Sequence, residues 1–121
     1  MGILGIGTDI IKIARFEGMT PRFMERVFTP DERAYLLGKP TASAAGLFAA
    51  KEAVAKALGT GFRGFWPSDV EIWHDELGKP QVRLHGAAEQ AAAKQTAGEH
   101  RVHVSISHTD TDAIAFAVVE I

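Results

Sequence analysis

Glu52 and Lys56 stand four residues apart in the alanine-rich stretch Phe48-Ala49-Ala50-Lys51-Glu52-Ala53-Val54-Ala55-Lys56-Ala57-Leu58. Alanine is the best helix former, so the stretch is predicted to be helical. Residues at this spacing share one helix face. A carboxylate beside an ammonium can hold a divalent cation and a phosphate together, the pairing that Mg²⁺-assisted phosphoryl transfer needs. The same spacing also describes an ordinary Glu-to-Lys helix pair, worth about 0.2–0.5 kcal/mol. A second acid, Asp9, lies near the end of the apolar segment Gly5-Ile6-Gly7-Thr8-Asp9-Ile10-Ile11. It reads either as a second Mg²⁺ ligand or as a strand-end residue bonded to its own turn. His108 ends the alternating segment Val102-His103-Val104-Ser105-Ile106-Ser107-His108 and by itself reads as a surface turn histidine. Ser105, Ser107 and His108 also invite a hydrolase reading, which requires a nucleophilic triad to converge in space.

The elements that must position these groups follow from pattern. Residues 2–9 read as a buried strand and 10–18 as a short amphipathic helix. Pro21 to Val27 is predicted to be a short helix with proline in its first turn. Thr29-Pro30-Asp31-Glu32 is a helix start, with Thr29 as cap and Glu32 completing a capping box; that helix should stop near Gly38, before Pro40. Thr41 to Leu58 is the long helix, closed by Gly59. A glycine-rich aromatic loop follows from Gly59 to Pro67. Residues 69–74 and 81–84 read as strands paired across the turn Glu76-Leu77-Gly78-Lys79-Pro80. Gly86 to Ala97 is alanine-rich and helical, and residues 101–107 and 113–120 are two further strands. This order predicts one α+β domain over residues 1–121, a mainly antiparallel sheet packed on the long helix.

Composition narrows the function classes. A chain of 121 residues is most simply one domain and is large enough to bury ~65% of its unfolded surface. The absence of cysteine excludes disulfides and thiol chemistry. No apolar run reaches the roughly 18 residues of a membrane span, and the first residues lack a signal-peptide pattern, so we expect a cytoplasmic protein with no membrane partner. A net charge of −2 argues against nucleic-acid binding. Between Lys12 and Lys39, however, six basic residues (Lys12, Arg15, Arg22, Arg26, Arg33, Lys39) face four acids (Glu17, Glu25, Asp31, Glu32). Such a local excess suits an acidic protein partner, or is a solvated mixed-charge face.

Taken together, G-I-G-T-D-I-I, F-A-A-K-E-A-x-x-K-A-L-G-T-G, Gly78-Lys79-Pro80 and V-S-I-S-H-T, in that order, resemble the holo-acyl-carrier-protein synthase family of 4′-phosphopantetheinyl transferases. The resemblance spans almost the whole chain and implies the fold of that family. It implies transfer of the phosphopantetheine arm of coenzyme A to a serine of apo acyl carrier protein, with 3′,5′-ADP leaving, in fatty acid biosynthesis. By this resemblance Asp9 and Glu52 hold Mg²⁺ against the pyrophosphate, and Lys56 clamps phosphate. Glu52 is also the candidate to accept the serine proton, directly or by way of a metal-bound water. His108, Ser107 and the backbone at Gly59 lie beside coenzyme A. Arg15, Arg22 and Arg26 dock the acidic carrier protein, and the assembly is a homotrimer. Gly59 follows a helix C-terminus, which repels anions, so its turn is not a phosphate cradle of the Walker type.

One position departs from the family pattern. The family commonly reads G-R-F-A-A-K-E-A, and here the arginine is Leu47. Either coenzyme A binds less tightly here, or Lys51, Arg63 or Lys39 replaces that cation. Two other readings stand beside the synthase: another Mg²⁺-dependent phosphoryl or nucleotidyl transferase, which would use ATP, and an inactive coenzyme A-binding module.

Overall fold

The computed structural model describes residues 2–121. Its strands form two antiparallel sheets: β1 (Ile3–Lys12), β5 (Asp112–Glu120) and β4 (Arg101–His108) in the order β1-β5-β4, and the hairpin β2 (Val70–His74) with β3 (Pro80–Leu84). The helices are α1 (Pro21–Val27), α2 (Pro30–Leu36), α3 (Thr41–Ala57) and α4 (Gly86–Thr96), with 3₁₀ turns at Ile13–Phe16 and Pro67–Asp69. The α+β expectation and the long helix packed on an antiparallel sheet are both found.

One boundary differs. The segment 10–18, expected as a helix, continues β1 as far as Lys12, and only Ile13–Phe16 is helical. Pairing decides this: Ile10, Ile11 and Lys12 each oppose a residue of β5, ending at Asp112. Ladder bonds outweigh a weak amphipathic pattern.

Helix α3 is the centre of the molecule. Ala45, Ala49, Ala50, Ala53 and Ala55 are completely buried, and past Ser43 the helix is buried all round except at Phe48, Glu52 and Lys56. A helix apolar on nearly every side belongs inside a fold. Its alanines lie against β1, β4 and β5. At the crossing with β1, a Cβ on Gly7 would meet the carbonyl oxygen of Ala53, and one on Gly5 that of Ala57. The two glycines let helix backbone and strand backbone touch. At the other end, Gly46 admits Ile106 of β4, whose Cγ2 lies 3.0 Å from where a Cβ would stand.

The sheet has unequal faces. Gly7, Ile11, Ala113, Ala115, Ala117 and Val119 turn to α3 and are buried. Ile6, Ile10, Ile114 and Phe116 turn the opposite way and are 62%, 67%, 43% and 45% exposed. The period of two along each strand sorts them.

Helix α2 begins as its sequence requires. Thr29 Oγ1 accepts from Glu32 N at 3.1 Å, and Glu32 Oε1 accepts from Thr29 N at 2.8 Å. Phe16 joins the N-terminal segments to α3, its ring 6.0 Å from Phe23 of α1 and 5.3 Å from Phe48.

Candidate active site

The open stripe of α3 is Phe48, Glu52 and Lys56, spaced i, i+4, i+8 and thus on one face. Because Gly5 and Gly7 bring β1 onto the helix, Asp9, next on the same strand face, arrives beside that stripe. Lys56 Nζ donates to Asp9 Oδ1 at 3.2 Å and to the carbonyl of Thr8 at 2.9 Å. Its side chain remains 51% exposed, so solvent and ligands reach it. The Asp9 carboxylate is 17% exposed.

Burial pushes the Glu52 carboxyl above the ordinary glutamate range, and the nearby Asp9 charge adds to this. Lys56 and Arg15 oppose it without reversing it. All four groups therefore share one electrostatic neighbourhood. Two half-buried carboxylates that repel each other make a site suited to a cation. No cluster of three or more His, Cys, Asp or Glu exists among the described residues. Two acids alone fit Mg²⁺, which usually takes one or two carboxylates and completes its shell with water and substrate phosphate.

His108 ends β4 and is exposed, with Nδ1 3.1 Å from the carbonyl of Thr109. In the sheet, the row Asp9–Ala115–Ile106 adjoins the row Ile11–Ala113–His108. Asp9 and His108 thus lie on the α3 side, two strands and one register step apart. His108 lines a cleft of about 220 Å³ with Tyr35, Gly46, Leu47, His74 and Pro80. Ser107 projects to the other sheet face, as do Ser105 and His103. The strand therefore separates Ser107 from His108, and no serine–histidine dyad forms here.

Gly59 lies at the opposite end of α3, with φ +79°, donating from its N–H to the carbonyl of Lys56 at 2.9 Å. Its cap role is plain, and it stands three residues beyond Lys56. Arg22 and Arg26 are exposed on α1, four residues apart on one face, and Arg15 is exposed at the 3₁₀ turn before it.

The three candidates to replace the cation at Leu47 part company. Lys51 is completely buried and paired with Glu32 at 2.7 Å, so it faces no ligand. The expectation that it could serve a phosphate is corrected by that burial. Arg63 lines a separate cleft with Ala87, Gln90 and Lys94 of α4. Lys39 Nζ sits 4.9 Å over the ring of Tyr35, which stacks at 4.3 Å on His74 in the His108 cleft. Burial and the Lys39 charge hold the His74 imidazole below its ordinary range, and its Nδ1 is buried without a partner among the described residues.

No spacing in the sequence singles out the Tyr35–His74 pair, nor the other three histidines outside the site, His85, His100 and His103. The last three pair with Glu71, Glu89 and Glu120 at 2.9, 3.3 and 3.0 Å. Tyr35 sits on α2 and His74 on β2, and no local spacing could have joined them.

With this geometry, a family model described as the 4′-phosphopantetheinyl transferase superfamily matches residues 5–116. The holo-[acyl-carrier-protein] synthase of Clostridium beijerinckii is 50% identical, covering 98% of both chains. That of Clostridium novyi is 48% identical, covering 98% of this chain and 88% of the relative. Among solved structures, a holo-(acyl-carrier-protein) synthase from Bacillus anthracis in complex with CoA (3′,5′-ADP) has a TM-score of 0.82 at 40% identity, covering 99% of this chain and 98% of that one.

Proposed function

The chain belongs to the 4′-phosphopantetheinyl transferase superfamily, and within it we propose that it acts as a holo-[acyl-carrier-protein] synthase. It moves the 4′-phosphopantetheine group of coenzyme A to a serine of apo acyl carrier protein, in fatty acid biosynthesis. The serine oxygen bonds to the β-phosphorus, the bridging P–O bond breaks, and 3′,5′-ADP departs with the electron pair. The observation that carries this reading is the convergence of Asp9, Glu52 and Lys56 on the open stripe of α3.

Each residue's part follows from its setting. Asp9 and Glu52 would hold Mg²⁺, which when bound neutralises charge on the pyrophosphate. Lys56, anchored by Thr8 and Asp9 yet open to solvent, places a compact positive charge against the transferring phosphoryl group. Glu52, on the open stripe beside Asp9, would receive the serine proton, directly or by way of a water. His108 and the cleft beside it receive the nucleotide end of coenzyme A, with Lys39 as the cation that Leu47 lacks, and Gly59 flanks the same ligand. Arg15, Arg22 and Arg26 meet the acidic face of the carrier protein. Ser107, on the outer sheet face, would reach coenzyme A only at a boundary with another subunit.

That outer face supports the homotrimer. Ile6, Ile10, Ile114 and Phe116 form a contiguous apolar surface across β1 and β5, in rows fixed by the pairs Thr8–Phe116 and Ile10–Ile114. A patch of this kind marks an interaction surface. Copies of the same chain cover it, and light scattering of wild type and Phe116→Glu should show a trimer and a monomer. No helix among the described residues is long and apolar enough to cross a membrane, and we place the protein in the cytoplasm with no nucleic-acid partner.

The deciding experiment is mass spectrometry of apo acyl carrier protein incubated with this chain, coenzyme A and Mg²⁺. A mass gain equal to the phosphopantetheine arm is expected. No gain at any Mg²⁺ concentration would end the synthase reading.

A further inference from the structure

Lys51 precedes Glu52 in the chain and is turned into the protein, where Glu52 is only half-buried. Its ammonium donates to Glu32 Oε1 at 2.7 Å, to the carbonyl of Val70 at 2.6 Å and to that of Pro67 at 3.0 Å. An ammonium has three donors, and all three are committed. Glu32 is committed too: Oε1 also accepts from Thr29 N at 2.8 Å, and Oε2 accepts from Ile72 N at 2.8 Å. Both side chains are 0% exposed. One buried pair therefore ties α3 to the first turn of α2, to β2 and to the turn at Pro67–Asp69.

A buried ion pair is weak evidence for stability, because desolvation offsets the attraction and an apolar pair of similar volume does as well. Directional bonds are what an apolar pair lacks. Successive helix residues are turned by about 100°. With Lys51 held inward by three bonds, the adjacent Glu52 is turned onto the open stripe next to Asp9 and Lys56. The bond to Pro67 also fixes the far end of the loop that leaves α3 at Gly59. That loop is thus bonded to the same helix at both ends, since Gly61 N–H donates to the carbonyl of Ala55 at 3.1 Å.

We propose that Lys51 and Glu32 are positioning residues for the transfer: they fix the rotation of α3 about its axis and the seat of the 59–67 loop, and thereby the placing of Glu52 and Lys56. The inference rests on the reading of those two residues as the reacting pair. It separates the two neighbouring charges of the sequence into one that holds the helix and one that meets the substrate.

The test is the double variant Lys51→Met/Glu32→Gln, which removes both charges, keeps the volume and leaves a side-chain oxygen for the backbone amides. With circular dichroism unchanged, kcat should fall about tenfold or more, which is about 1.4 kcal/mol on the barrier, while KM for coenzyme A and for carrier protein stays within threefold. Val119→Ala, a cavity variant at the far end of the sheet, serves as control. It should lower the melting temperature and keep kcat within twofold. Should the double variant fail to fold, Glu32→Gln alone retains the shape and should still lower kcat at least threefold at unchanged KM. A folded double variant with wild-type kcat, or in its place a Glu32→Gln chain with wild-type kcat, overturns the proposal. So does a Val119→Ala chain that loses kcat in the same proportion, since lost stability would then suffice. A wild-type chain that transfers nothing overturns the synthase reading and this inference with it; an active wild type beside an unchanged variant overturns this inference alone.

Discussion

Two lysines five residues apart on α3 have opposite surroundings. Lys51 is sealed, with every proton on an acceptor and its pKa lowered by burial that the Glu32 charge offsets only in part. Lys56 is half in water, with a 3.2 Å contact to Asp9 and a carbonyl beneath it. The first region holds shape and admits no ligand. The second contributes little to shape and can meet one. The difference teaches that charge on a helix carries no function by itself; what surrounds it decides whether it stabilises a fold or a transition state.

The sharpest way to break that contrast is to take away the carboxylates of the open region. Asp9→Ala and Glu52→Ala should each abolish Mg²⁺-dependent transfer with the circular dichroism spectrum retained, because each supplies one of the two carboxylates that would hold the ion against the pyrophosphate. Near-normal rates in either variant would remove that residue from the metal site. Lys56→Ala should lower kcat by about 10²–10³, the range found when one transition-state charge donor is lost. Its stability should move by less than about 1 kcal/mol, since a half-exposed ion pair contributes little. A change confined to KM would place Lys56 in ground-state binding instead.

Lys51→Ala should show itself in stability as well as in rate. Leaving Glu32 buried without its partner should destabilise the chain by about 3–5 kcal/mol in urea unfolding. A small loss there would mean that water or a rotated Glu32 compensates, and the contrast between the lysines would weaken.

Glu52 provides a gentler test through pH. Its raised pKa means that the folded chain holds this proton more tightly than the unfolded chain. The resulting stability is fully present below the ordinary glutamate value of about 4.3 and is lost as pH rises through the higher folded value. Without metal, Glu52→Gln should therefore be the more stable chain at neutral pH, with the difference vanishing in acid. Mg²⁺ should raise the melting temperature of the wild type and leave that of Glu52→Gln unmoved. A wild type indifferent to Mg²⁺ would speak against the carboxylate pair as its site. The smallest effect belongs to the rim: Arg22→Glu should raise KM for carrier protein by about 1 kcal/mol, roughly fivefold. KM for coenzyme A should stay unchanged, and the penalty should shrink with salt. Equal losses toward both substrates would assign Arg22 to the fold.

Much of this was legible in the chain. The alanine run, the capping box at Thr29 and Glu32, and the i, i+4 spacing of Glu52 and Lys56 are local signals, and local signals survive folding. Asp9 needed the resemblance, because nothing near it in sequence says which helix it will meet. The partner of Lys51 lies 19 residues away, in a glutamate that the sequence marks only as a helix cap. The Tyr35–His74 stack joins a helix to a hairpin. The opposite directions of Ser107 and His108, in contrast, follow from strand alternation alone. Residues 10–12 were expected as the start of a helix because their strand pairing with residues 112–114 is a property of the sheet, invisible within a window of nine residues.

The bare backbone of Gly5 and Gly7 has a consequence for how variation in this protein is interpreted. A methyl group at either position adds no charge, removes no ligand and leaves every reacting atom in the chain. It nevertheless wedges α3 away from β1, and with it Glu52 and Lys56 from Asp9. A misplacement of about 1 Å can lower a rate about 100-fold. Gly7→Ala would thus look silent in any inventory of functional groups and behave as a dead enzyme: the dimension on which this site is most vulnerable is thickness.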